Sequence, residues 1–92
     1  MRHDYLSVAG TAYRIGNDEL QVFIYPSAEA RERDSMRLDS TTAAPPGARQ
    51  GWPSTPTLIV SNNLLAIMLS RREQQIERVQ LALTAGLPSG ER

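Results

Sequence analysis

The chain has no cysteine, no lysine and one histidine, His3. Without cysteine there is no disulfide, no thiolate nucleophile and no thiolate metal site. Without lysine, Schiff-base chemistry on the ε-amine is excluded. His3 sits beside a terminus expected to fray, and a lone histidine cannot supply a structural zinc site or a His-based triad. No stretch approaches the roughly 20 apolar residues of a membrane helix, and Met1–Tyr5 does not read as a signal peptide. Neither sign of charge dominates. Ten arginines balance ten acidic residues for a formal net charge of zero, which leaves a nucleic-acid partner without electrostatic support.

The 92 residues make one small domain with ordinary apolar (40%) and charged (22%) content. A chain of this length buries only about 60–65% of its unfolded surface, so association with another surface is a common supplement to its core. The stretch from Pro56 to Leu87 carries the clearest pattern. Leu58–Val60 and Leu64–Leu69 are rich in residues that suit a pleated surface, and Ser61-Asn62-Asn63 between them has hairpin-turn chemistry. Both faces of the second run are apolar, which places it centrally in a sheet or against a further surface. The spacing of Ile76, Val79 and Leu83 predicts a helix over Arg71–Ala85. Ser70 and Glu73 match a capping box, and Gly86, Leu87 and Pro88 form a stop signal. Arg71 and Arg72 oppose the helix dipole at that end, so nearby carboxylates are expected to hold them.

The first half reads as a more polar version of the same unit. Tyr5–Ile15 predicts a strand with a bulge at Gly10, Gly16-Asn17-Asp18 a turn, and Leu20–Tyr25 a second strand ended by Pro26. Ser27 is a good N-cap for a helix over Ala28–Asp39, where Ala28, Ser35 and Leu38 form a thin stripe with the stem of Arg31. Residues 40–55 are rich in proline, glycine and hydroxyl residues and predict a long loop. Trp52 within it either covers an open edge of the core or anchors a partner.

The expected architecture is therefore α+β. It is a single domain over 1–92, built as a hairpin–helix unit (5–39), the Pro/Gly loop (40–55) and a second hairpin–helix unit (56–87). The order is ββαββα, with a four-stranded, mainly antiparallel sheet and both helices on one face in two layers.

The segments Leu20–Tyr25 and Ala28–Ala30, then Trp52, Pro56 and Leu64–Leu69, follow a strand, Ala-rich helix, tryptophan and hairpin pattern. In this the chain resembles small bacterial exported proteins and lipoprotein-like domains, from about Tyr5 to Leu87. Ile24 stands where that group carries an acidic residue, and Thr57-Leu58-Ile59 replaces its His/aromatic tract. The resemblance implies export from a bacterial cytoplasm and supplies no activity.

No residue is assigned to catalysis, cofactor binding or metal binding. The carboxylate clusters Asp18-Glu19, Glu29-Glu32-Asp34 and Glu73-Glu77 alternate with arginines as on a solvated face, and the glycines lack a phosphate-binding spacing. If Leu20, Val22, Ile24, Leu65, Ile67 and Leu69 face the helices, then Phe23, Tyr25, Ile59, Leu64 and Met68 fall on the open face. With Trp52 they form the expected interaction surface, for self-association or for another protein. The favoured function is a non-catalytic interaction module of an exported protein. The alternative is a small-molecule sensor or ancillary enzyme domain with a pocket between the long loop and the sheet.

Overall fold

The computed structural model of the chain describes residues 1–48 and 51–84. The elements are β1 (Gly10–Ile15), β2 (Asp18–Ile24), α1 (Ala28–Ser35), β3 (Pro56–Ser61), β4 (Leu64–Leu69) and α2 (Glu73–Thr84). The protein is an α+β domain with ββαββα order, and its antiparallel sheet has the strand order β1-β2-β4-β3.

Both hairpins close through two-residue turns. Ile15 pairs with Asp18 around Gly16-Asn17, and Ser61 pairs with Leu64 around Asn62-Asn63. Gly16 and Asn62 adopt positive φ of 63° and 52°. Such turns need left-handed backbone, which glycine and asparagine supply at low cost. The hairpins then join along β2 and β4, where Leu20 faces Met68, Val22 faces Ala66 and Phe23 faces Leu65.

That register corrects the expected face assignment. Residues directly opposite each other share a face, so Leu20, Val22 and Ile24 lie with Leu64, Ala66 and Met68, and not with Leu65, Ile67 and Leu69. The helices accordingly take opposite sides of the sheet, and the sheet is the middle layer. On one face Phe23, Tyr25, Leu65, Ile67 and Leu69 pack with Leu6 and Ala43, flanked by Ala30 of α1, Leu38, Trp52 and Leu58. On the other, Leu20, Ile59, Ala66 and Met68 pack under Ile76, Val79 and Leu83 of α2. The first face is already filled by the N-terminal segment, α1 and loop residues. The apolar stripe of α2 therefore finds its cover on the second.

Several local expectations also change. β1 begins at Gly10 rather than Tyr5 and runs without a bulge, each residue from Gly10 to Ile15 having one partner in β2. The N-terminal end is pinned rather than frayed. The Met1 nitrogen donates to the Gly10 carbonyl at 3.0 Å, and the Gly10 N–H donates to the Met1 carbonyl at 2.7 Å. His3 contacts the side-chain oxygen of Gln21 at 2.7 Å and packs against Tyr5, Phe23 and Trp52. Trp52 is half-buried against the core, and its indole N–H donates to the Thr42 carbonyl at 2.7 Å. It closes an edge of the first face. The segment 39–44 is a compact turn: Asp39 and Ala44 form a β-bridge, and Ala43 and Ala44 are buried.

α1 starts where expected, with the Ser27 hydroxyl accepting from the Ala30 N–H at 3.1 Å. It ends at Ser35, four residues early. α2 starts at Glu73, and the Arg72 carbonyl accepts from Ile76 N–H, so Arg72 and not Ser70 is the N-cap. Ser70 is buried two residues earlier, where it receives the Arg72 N–H at 3.0 Å and donates to Asp18 at 2.8 Å. The stop signal at Gly86, Leu87 and Pro88 lies outside the described residues.

Candidate interaction surface

The buried polar groups come first, because they are where chemistry would reside. Asp34 of α1 is 4% exposed. One of its oxygens accepts from the Ser7 N–H (2.8 Å), the Ser7 hydroxyl (2.7 Å) and the Tyr25 hydroxyl (2.8 Å). The other accepts from the Arg37 guanidinium. Burial alone would raise its pKa. The donors from Ser7 and Tyr25 and the charge of Arg37 outweigh burial and hold the carboxyl below its ordinary value. Tyr25 is pushed up by burial and by the Asp34 carboxylate it faces. Asp34 is thus a saturated structural anchor. It ties α1 to the N-terminal segment and to the end of β2. The sequence reading that grouped it with solvated surface carboxylates is corrected: a polar side chain, not an apolar stripe, docks this helix.

Asp18 at the start of β2 forms the second buried polar group. It receives the Ser70 hydroxyl, and its Oδ2 lies 3.9 Å from Arg72 Nε. This carboxylate answers the expectation that something holds Arg72 against the helix dipole.

The expected surface residues are not brought together. Phe23 and Tyr25 are buried on the α1 side of the sheet, with Trp52 half-buried at its margin. Ile59 and Met68 are buried on the α2 side, where Leu64 is half-buried. The polar loop hides Phe23 and Tyr25 jointly with the N-terminal segment, using Ala43 and Leu6 as well as Trp52. A concavity of about 380 Å³ lies between the N-terminal segment and the loop, lined by Asp4, Tyr5, Leu6, Ser7, Arg37 and Pro45. Trp52 is not among its lining residues.

Several apolar side chains stay exposed, Met36, Leu81 and Val60 among them, and two, Tyr13 and Ile24, lie at the β1–β2 end of the sheet. α2 packs over β3, and half-buried Ile15 of β1 packs at the margin of the cluster beneath it. On that face Tyr13 is 52% exposed and Ile24 57%, with Val22 half-buried between them. Beside this strip runs the free edge of β1. The hairpin turn makes Ile15–Asp18 a hydrogen-bonded pair, so alternation along the ladder directs the backbone groups of Thr11 and Tyr13 toward β2. Those of Gly10, Ala12 and Arg14 point outward. Met1 takes the outward groups of Gly10. Among the described residues nothing takes those of Ala12 and Arg14.

The sequence reading sets Ile24 toward the helices and leaves Tyr13 out of the expected interaction surface. The signal was present in the two two-residue turns, which fix parity within each hairpin. What was missing was the long-range β2–β4 register that joins them.

No described helix is long and apolar enough to cross a membrane. No family model matches the chain, and no curated protein and no solved structure matches it.

Proposed function

We propose that this chain is a non-catalytic protein-interaction module, and that it belongs to an exported bacterial protein as the resemblance of its strand pattern implies. The observation that supports the first part is the uncovered strip of Tyr13, Val22 and Ile24 beside the free β1 edge. In a domain this small, large apolar side chains left open next to unpaired backbone groups are costly unless a partner uses them. The interior carboxylates Asp34 and Asp18 are meanwhile engaged in holding the fold together.

The test is position-specific photo-crosslinking in the bacterium that makes the chain. A benzophenone side chain at Ile24 is expected to give discrete covalent protein adducts. The same group at Arg33, on the exposed face of α1, is expected to give none. Adducts that are absent at Ile24, or identical at both positions, would refute the module reading.

A further inference from the structure

We infer that the partner for the β1 edge is the β1 edge of a second copy, paired antiparallel about a two-fold axis at Tyr13. This inference rests on the interaction-module reading and names its partner.

The argument starts from which backbone groups are free. Ala12 and Arg14 each present an outward N–H and C=O, and they stand symmetrically on either side of Tyr13. A two-fold interface requires that residue i meet j while j meets i. The pattern meets this condition directly: Ala12 of one copy faces Arg14 of the other, twice. Each such pair exchanges both of its N–H···O=C bonds, and Tyr13 faces Tyr13 in the non-hydrogen-bonded position between them. Two aromatic side chains meeting there form a favourable cross-strand pair.

Neighbouring registers are excluded by features of the chain. A shift that sets Ala12 against Ala12 would need the outward groups of Gly10, and Met1 already occupies them. A shift that sets Arg14 against Arg14 places like charges directly opposite, which is destabilising. In the remaining register the residue that would fall opposite Gly10, where Met1 sits, is Gly16. It has no side chain, and its left-handed backbone (φ 63°) turns the chain back toward its own β2. The formal net charge of zero adds no long-range repulsion between copies. The axis runs perpendicular to the sheet, so both α2 helices lie on one side of a continuous eight-stranded sheet. The two strips containing Tyr13, Val22 and Ile24 then meet only at the Tyr13 pair and run away from it in opposite directions, leaving Ile24 far from its symmetry mate.

The absence of cysteine makes the register measurable. Non-hydrogen-bonded partners have Cα atoms about 4.5 Å apart, within disulfide reach. Under mild oxidation Tyr13→Cys should therefore form a disulfide dimer at least about tenfold faster than Ala12→Cys or Arg14→Cys, whose symmetry mates lie out of reach. In light scattering after size exclusion at about 100 µM, where mass action favours association, the native chain should have the mass of a dimer. Tyr13→Glu, a change at an exposed site, should give a folded monomer with native circular dichroism and a cooperative melt whose midpoint, unlike that of the native chain, does not rise with concentration. Arg14→Ala should remain dimeric. A strictly monomeric native chain overturns the pairing, and so does cross-linking through Ala12→Cys as fast as through Tyr13→Cys. If the native chain is monomeric while Ile24 still cross-links a different protein, the self-pairing fails and the module reading stands. If Ile24 captures nothing and the chain is monomeric, both fail.

Discussion

The aromatic ring of Phe23 lies across Gly10. The two residues are direct partners in the β1–β2 ladder, and a Cβ placed on Gly10 would run into the Phe23 ring and the Val22 carbonyl oxygen. Glycine is ordinarily a weak choice within a strand. Here its missing side chain is the space that lets Phe23 lie flat and fully buried. Gly10→Ala, a change that usually favours a strand, should instead destabilise by about 1–3 kcal/mol through overpacking. Urea titration of Gly10→Ala, Phe23→Leu and the double variant should show the two changes coupled, because the smaller side chain removes the clash. Additive effects would show that the ring can move aside freely.

Asp34→Asn should cost about 2–3 kcal/mol at neutral pH, because the charged acceptor shared by Ser7 and Tyr25 is lost inside the fold. The exposed Arg37 partner contributes little of this. The folded-state pKa of Asp34 is depressed. Its stabilising contribution is therefore complete above the unfolded carboxyl value of about 3.9, and is lost as pH falls through the folded value. Thermal melts between pH 7 and 2 should show the native chain weakening below about pH 4 more steeply than Asp34→Asn. Parallel curves would show that Asp34 carries no such linkage.

Ser70→Ala should destabilise by about 1–3 kcal/mol, although it removes a single oxygen. That oxygen accepts from Arg72 N–H and donates to Asp18, and all of it is out of water. Hydrogen exchange should locate the loss: the first turn of α2 should exchange faster while β4 remains protected. Uniform acceleration across both elements would contradict a local role.

Leu83→Ala should cost only about 1–2 kcal/mol, since α2 has no fully buried residue and Leu83 is half-buried. Ile67→Ala in β4, where the side chain is inaccessible, should cost about 3–4 kcal/mol. The contrast is stronger than either number. If Leu83 proves the more costly, α2 packs more tightly on the sheet than its exposure indicates.

Much of the fold could be read along the chain because its signals are local. Leu64–Leu69 carries its boundaries in its own residues, with Asn62-Asn63 before it and Ser70 after it. The strands, the Ser27 cap and the ββαββα order follow in the same way. Apart from the end of α1 and the cap of α2, which are local, the errors involve contacts between residues far apart in sequence. Both faces of β4 are apolar, so nothing local states which of them shares a face with Leu20 and Val22. Asp34 looks like one more charge among arginines until Ser7 and Tyr25 are brought to it. The covering of Phe23 could not be anticipated from a polar loop, because it is completed by Leu6 and by Ala43 held in a turn. The candidate surface suffered most, since an open face is defined by what fails to cover it.

The strand order β1-β2-β4-β3 also states how the molecule is divided. Each hairpin closes between neighbours in sequence, and the strand pairing that joins the two is the seam between β2 and β4. A backbone cut between Gly47 and Ala48 would leave every strand pairing intact. The first piece would keep β1, β2 and α1; the second would keep β3, β4 and α2, with Trp52 reaching across to the Thr42 carbonyl. The seam would then be an association between two peptides. Its strength would no longer be a fixed property of one chain and would rise with concentration.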